Sequence, residues 1–411
     1  MTQAIANQQI LTRRLARIER KRDWLSRLIV LPAVLFLTVF FLIPLADILC
    51  KSVINPEIHK NLPNTLVALK TWDGKSEPNE TIFQALVTDL RNARQAGVAG
   101  SIGRRLGYED EKYRVMLSAT LRRLPPANAA DVKAQVISAS ALWREPSTWQ
   151  TIQQNAGALT SLYILAVFDH KLDPISGKII PVPAQQAEYL NVLGRTLWMS
   201  FIITLCCMAI GYPLAFWLAC QPIKRANLLV ILVLLPFWTS LLVRTTGWFI
   251  LLQNNGVINY LLLSLHFIEK PLSLVPGRFG VYIAMVHILL PFIVLPLYAV
   301  MRGILPTHLR AAISLGAHPF YAFLTVYLPQ TYAGLRAGVL LVFIMAIGYY
   351  ITPSLLGNPS DQMVSSSIAY SINTINNWGL AAALSLQLMI IVVLLSWVYS
   401  KVSYKKLNNK A

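Results

Sequence analysis

Charge is scarce in this chain, and acidic charge most of all. Only 13% of the 411 residues are charged, with 18 Asp and Glu against 36 Lys and Arg. A soluble protein carries roughly 25% charged residues, so this composition excludes an ordinary soluble domain. Cysteines are few, and the long polar stretch 50–192 has one only at its edge, Cys50. The other three, Cys206, Cys207 and Cys220, lie in or beside apolar segments. Vicinal Cys206-Cys207 on a helix points to two faces, so the cysteines read as small apolar filler, not as a disulfide or metal pair. No phosphate loop of the form GxxxxGK followed by Ser or Thr occurs, and no HExxH, CxxC or GxSxG arrangement. The chain is therefore expected to hold no nucleotide, no metal and no other cofactor itself, and to have no catalytic residues.

Carboxylates are also missing from the apolar segments, apart from Asp47 at the end of the first. Ion-driven carriers keep such groups near the bilayer midplane, because the coupling ion needs a ligand there. Their lack points to an energy source outside the chain.

What is present is a series of long apolar runs and an uneven spread of positive charge. Leu28 to Leu49 is long enough to cross the roughly 30 Å hydrocarbon core and too long for a signal-peptide core. Further spans are expected over Gly194–Cys220, kinked at Pro213, and from Leu228, interrupted at Pro236. Three more follow over Phe279–Val300, with Pro291 and Pro296, then Arg336–Leu356, and Trp378–Ser400. Segments 1–27, 220–227, 301–336 and 401–411 hold 16 Lys and Arg against two acidic residues, while 50–192 holds 16 against 13. Excess positive charge confined to short loops on one side marks the cytoplasmic face and a lipid bilayer partner, not a nucleic-acid footprint. The expected fold class is an all-α polytopic membrane protein with six transmembrane helices. A basic amphipathic N-terminus (1–27) and a basic tail (401–411) lie in the cytoplasm; a solvated topogenic tail fits residues 1–27 equally well. Residues 50–192 form a mostly helical periplasmic insertion between the first and second spans. Apolar residues at three- and four-residue intervals place helices over Glu80–Gln95, Glu109–Leu124, Asp131–Trp143 and Trp149–Phe168. The core, 193–400, contains a cytoplasmic loop at 301–335.

Within that loop, Leu309 to Pro329 reads LRAAISLGAHPFYAFLTVYLP. A short helix ends at Gly316, which takes the left-handed conformation without steric cost. Pro319 opens a second helix, since its missing amide would lack a partner there anyway, and Pro329 is expected to stop it. Two readings fit: a hairpin that joins two spans, or an elbow shaped to receive another protein.

The order Ala311-Ala312, Gly316-Ala317, Phe323, Val326, Leu328 and Pro329 resembles the EAA loop of permease subunits in ABC importers. The segments LLPFWTSLLVR (234–244), LLQNNGVIN (251–259) and IGYYITP (347–353) resemble the inner-membrane permeases of spermidine/putrescine-type importers, and the likeness covers about Gly194 to Ser400. It implies the six-helix type I importer fold and a multi-pass inner-membrane location. It also implies two ATPase subunits that carry the ATP and Mg, a second and usually different permease, and a periplasmic solute-binding protein. The coupling residues it implies here are Arg310, Ala311, Ala312, Gly316, Ala317, His318, Phe323 and Pro329. Arg310 stands where the family usually has glutamate.

Tyr212, Phe237, Trp238, Arg244, Tyr349 and Tyr350 are candidate translocation-path residues, because aromatic faces hold organic ammonium groups. Aromatics at span ends also form interfacial belts, and Arg244 fits a snorkelling residue as well as a cavity group. His287, alone in its span, fits an interhelical hydrogen bond better than a metal site. The resemblance implies a polyamine-like cargo; the shortage of carboxylates leaves a zwitterionic or anionic solute open. The rival reading is a stand-alone secondary transporter or channel.

Overall fold

The computed structural model describes residues 30–126, 131–173 and 177–408, with side chains described as far as Lys401. The expected amphipathic N-terminus at 1–27 and the side chains of the tail 402–411 lie outside the described residues.

Among the described residues, five helices are long and apolar enough to cross a membrane: α1 (Val30–Cys50), α10 (Tyr189–Ala219), α14 (Arg278–Arg302), α16 (Pro319–Ile347) and α19, apolar over Trp378–Lys401 and running to Asn408. A bent pair, Ile223–Trp238 followed by Leu241–Ser264 at 94°, is apolar enough to make a sixth span if its two arms cross as one, or a re-entrant loop if they do not. It comprises α11 (Ile223–Leu234), a 3₁₀ turn at Leu235–Trp238, α12 (Leu241–Leu252) and α13 (Val257–Ser264). Pro236 does break this ladder, and the chain turns over Thr239-Ser240 instead of continuing as one rod. Pro213, Pro291 and Pro296, in contrast, sit inside unbroken helices.

The centre is a three-helix stack in which α10 and α16 pack along α14. Small residues make the approach close. A Cβ on Gly334 would stand 2.7 Å from the Pro296 carbonyl oxygen, and one on Gly338 2.8 Å from Ile293 Cγ1. The core here is Ile203, Cys207, Met285, Leu289, Ile293, Leu297 and Val342, all fully shielded. In lipid such packing replaces the hydrophobic effect as the force between helices. The first span is peripheral, touching mainly α19 through Ile43–Cys50.

Pro329 does not stop the elbow's second helix. Phe323–Tyr327 forms a π turn in which the Leu328 amide donates to the Phe323 carbonyl. The next residue, Pro329, has no amide to place, so the wide turn absorbs it at no loss and the helix continues. The span expected over Arg336–Leu356 is therefore Pro319–Ile347, followed by a break at Gly348–Tyr350, the short α17 (Ile351–Leu356) and α18 (Val364–Asn373).

The described residues between 52 and 187 fold as a helical unit with eight short α-helices among them: α2 (Pro56–Asn61), α3 (Pro63–Leu69), α4 (Glu80–Gln95), α5 (Ala99–Gly107), α6 (Glu111–Arg122), α7 (Val132–Ala139), α8 (Pro146–Gln154) and α9 (Leu162–Ala166). The expected helix over Trp149–Phe168 is in fact two, α8 and α9, because Gly157 and a β-bridge between Ile54 and Leu159 interrupt it. A hairpin absent from the sequence expectation, β1 (His170–Leu172) with β2 (Ile179–Pro181), follows antiparallel. Trp143, Trp149 and Phe83 are fully buried at the heart of the helical unit, and each contributes about 2–3 kcal/mol by burial. Both indole amides are satisfied, by Thr120 Oγ1 and by the Trp143 carbonyl, each at 2.8 Å.

The unit is closed at its base by Arg105, 1% exposed. Its guanidinium donates to Asn55 Oδ1 (3.1 Å), Asn155 Oδ1 (2.5 Å) and Thr160 Oγ1 (3.1 Å), joining the chain's entry to the segment that follows α8. The unit is seated on the bundle. Tyr163 packs on Gly379, and Gln387 Nε2 donates to the Val167 carbonyl at 2.9 Å. The Asp169 carboxylate accepts the amides of Glu188, Tyr189 and Leu190, which caps the start of α10. Burial pushes the hydroxyls of Tyr163 and Tyr108 up from the ordinary tyrosine value.

Candidate functional site

At the opposite end of the bundle, α15 (Pro306–Ser314) and the start of α16 make the elbow. Gly316 has φ +92°, a conformation closed to most side chains. The Gly316 amide donates to the Ile313 carbonyl (2.9 Å) and the Ala317 amide to the Ala312 carbonyl (3.1 Å), the paired bonds of a Schellman cap. The His318 ring accepts the Phe320 amide at 3.3 Å and so starts the second helix. His308 Nδ1 lies 3.0 Å from Gln330 Oε1, which ties α15 to α16.

The elbow's side chains divide into two sets. Arg310, Ala311, Gly316 and His318 face outward, with Ala312 and Ala317 half-buried. Phe323 instead turns inward. It stacks on Tyr327 (5.5 Å) and meets Phe216 (5.7 Å) and Tyr212 (6.4 Å) edge to face. Pro329 is half-buried where the span begins. Sequence reasoning missed three exposed large apolar residues of the elbow, Leu315 (89%), Phe320 (66%) and Tyr321 (63%). They form an apolar ridge on the elbow's outer side. The signal was there to use, since three large apolar residues crowd a seven-residue loop otherwise expected to be polar.

The candidate path residues do not form one group. Tyr212 belongs to the elbow, where its hydroxyl lies 3.2 Å from Thr331 Oγ1. Phe237 packs edge to face on Phe292 at 5.0 Å, and Trp238 is 77% exposed. Arg244, on α12 just past the bend, lies near His287 and Tyr349 within reach of its charge, and its buried Nε has no hydrogen-bond partner among the described residues. His287 Nδ1 accepts the Trp248 indole amide at 3.1 Å, joining α12 to α14. Tyr349 and Tyr350 mark the break after α16, and Tyr350 opens onto a cavity of about 530 Å³ at the mouth of the bundle. No group of three or more His, Cys, Asp or Glu able to hold a metal occurs among the described residues.

The chain is 36% identical over 222 residues to the spermidine/putrescine transport system permease protein PotB of Haemophilus influenzae, a match that covers 54% of this chain and 77% of that protein. With PotB of Escherichia coli strain K12 it is 37% identical over 222 residues, covering 54% and 80%. The chain belongs to the permease family of spermidine/putrescine-type ABC importers. It is thus a multi-pass inner-membrane protein whose relatives are transport permeases. No family model matches it. Among solved structures it is similar to a bacterial ABC transporter involved in import of the acidic polysaccharide alginate, at 15% identity and a TM-score of 0.43, covering 53% of this chain and 79% of that one.

Nearly half of this permease lies outside those alignments. That share is large enough to contain the whole helical unit at 52–187.

Proposed function

We infer that this permease forms half of the translocation path of an ATP-driven importer and is opened by force applied at the elbow. Two ATPase subunits, which hold the ATP and Mg, are the source of that force. A second, different permease completes the path, and a solute-binding protein delivers cargo on the side of the helical unit. The distribution of basic residues supports an elbow and termini in the cytoplasm and a helical unit in the periplasm. The relatives are named for spermidine and putrescine transport, which supports a small polyamine-like solute.

The observation that carries this reading is continuity. An exposed apolar ridge (Leu315, Phe320, Tyr321) is fused through one unbroken helix to the break at Gly348–Tyr350. A push on the ridge acts on α16 as a lever. The ring cluster of Tyr212, Phe216, Phe323 and Tyr327 passes it to α10, and the glycine seam on α14 lets the three helices move as packed rods. Arg310 is an exposed neighbour of the ridge, suited to meet an acidic group on the ATPase.

Replacing Leu315→Asp together with Phe320→Asp puts two charges in a desolvated contact. ATP-dependent uptake by the reconstituted complex should fall about tenfold or more, the equivalent of about 1.4 kcal/mol, while membrane insertion persists. Unchanged uptake would reject the docking role.

A further inference from the structure

Between α16 and α19 lies a groove of about 150 Å³. Leu340, Phe343 and Ile344 supply one wall, and Val392, Ser396 and Tyr399 the other. All six are half-buried, so the groove opens to the surroundings of the bundle and is not sealed inside it. Apart from the hydroxyls of Ser396 and Tyr399, its lining is hydrocarbon or aromatic. Helical spacing accounts for it. On α16 the buried positions Gly334, Gly338, Val342 and Ala346 recur every four residues, and Gly334 and Gly338 meet α14. Phe343 follows Val342 by one residue, hence by about 100° around the helix, and so turns off that seam. At the elbow end the Tyr399 hydroxyl donates to the Arg336 carbonyl at 3.3 Å and closes the groove.

Positive charge gathers at that closed end. Arg336 precedes Leu340 by one helical turn, its guanidinium lies 5.7 Å from the centre of the Tyr332 ring, and its charge reaches the Tyr399 hydroxyl. Lys401 Nζ lies 4.6 Å from the centre of the Trp397 ring, beside the turn that carries Ser396 and Tyr399. The sequence of α19 runs on through Lys405 and Lys406, and neither α16 nor α19 contains an Asp or Glu. A second helix is a poor occupant for the groove. Helices associate in lipid through small residues, and the glycines of α16 are already turned onto α14. A space of about 150 Å³ takes a slender chain and no helix.

We propose that this groove is a binding site for an anionic phospholipid of the leaflet on the elbow's side: one acyl chain lies between α16 and α19, and Arg336 and Lys401 meet the phosphate. Basic residues between spans recognise acidic headgroups in this way, and their long stems lie along apolar surface while the charge reaches the headgroup. The bound chain fills the gap beside the helix that carries the elbow, so it supports α16 on a side that α14 does not. The site goes beyond the importer reading and needs only that the spans lie in a bilayer.

The full chain, purified in detergent and stripped of lipid, is titrated with dioleoyl-phosphatidylglycerol, with dioleoyl-phosphatidylcholine and with short-chain dihexanoyl-phosphatidylglycerol, and bound lipid is read by native mass spectrometry. The long-chain anionic lipid should bind about tenfold more tightly than the zwitterionic one. The short-chain lipid should bind weakly, because it buries few methylenes. Arg336→Gln with Lys401→Gln should erase the headgroup preference and leave phosphatidylcholine binding as it was. Ser396→Phe sets a ring in the groove and should abolish the tightly held lipid, while Ser396→Ala, which leaves the groove open, should bind as the parent does. Melting temperatures without lipid show that each variant is folded, and the charge variants test the site even where Ser396→Phe is not. Equal binding of the two long-chain lipids by the parent, a preference that survives the double substitution, or tight lipid retained by folded Ser396→Phe would each overturn the proposal. A parent that holds no lipid but self-associates, and loses that association in Ser396→Phe, would assign the groove to a protein helix and overturn it as well. No nucleotide enters these titrations, so failure of ATP coupling at the elbow would leave them unaltered.

Discussion

The ring of Phe216 meets the ring of Phe323 edge to face, with centroids 5.7 Å apart and planes at 84°. Phe216 lies on the second span and Phe323 in the π turn of the elbow, so this contact joins the two. Aromatic pairs of this kind are worth about 0.5–1.5 kcal/mol beyond burial. Phe323→Ala should therefore loosen the joint without unseating the span. In the reconstituted complex, solute moved per ATP hydrolysed should drop severalfold while hydrolysis continues, and Phe323→Leu should recover part of the loss. A Phe323→Ala complex with a parental ratio would contradict the joint.

Gly316 tests the elbow's shape. A side chain there meets nothing within 4 Å, so the only cost is backbone strain at φ +92°. Gly316→Ala should cost about 1 kcal/mol, and Gly316→Asn less, because Asn tolerates the left-handed region. Uptake and thermal stability should fall in the order Gly, Asn, Ala. Equal behaviour of all three would show that the cap is not held.

The glycine seam makes a stability prediction with its own control. Gly334→Ala drives a methyl group into the Pro296 carbonyl and should cost about 2 kcal/mol. Gly194→Ala, on an outer stretch of the second span with open space around it, should leave the melting temperature unchanged or raise it slightly. The comparison is read from thermal denaturation of the two variants in one detergent.

Local chemistry was legible where it decides the structure. The helix at Glu80–Gln95 follows from its apolar spacing and from Asn79, whose side chain accepts the Ile82 amide at 3.2 Å. Gly316 announces its cap because few other residues fit there. His287 makes the interhelical bond expected of a lone polar group in a span. What escaped depends on tertiary context. Pro329 looks like a stop until the π turn before it removes the need for its amide. Three-residue strands such as His170–Leu172 show no periodicity to detect. Tyr212 shares a residue type with Tyr349 and Tyr350, but only the helix packing reveals that it faces the elbow. The ridge of Leu315, Phe320 and Tyr321 escaped because apolar character suggests burial until the neighbours are placed.

The seating of the helical unit predicts a pH dependence. Burial raises the Tyr163 hydroxyl, and no hydrogen bond among the described residues holds it. A raised folded value means the uncharged form is favoured in the fold. Its contribution is full below the ordinary value of about pH 10 and is lost as pH rises toward the folded value. Tyr163→Phe removes that loss and breaks no bond, so the alkaline unfolding midpoint of the helical unit should move upward. Hydrogen exchange of Trp143 and Trp149 indole amides against pH measures it. A midpoint that stays in place or falls would contradict the assignment.

The central claim is that the chain is a passive gate driven from its elbow. The direct measurement is solute accumulation in sealed proteoliposomes containing this permease and the partners proposed for it, a second permease, an ATPase pair and a binding protein. Accumulation above the external concentration should require hydrolysable ATP and should vanish with a non-hydrolysable analogue or with Leu315→Asp/Phe320→Asp. Accumulation driven by an ion gradient with no nucleotide present would contradict the account.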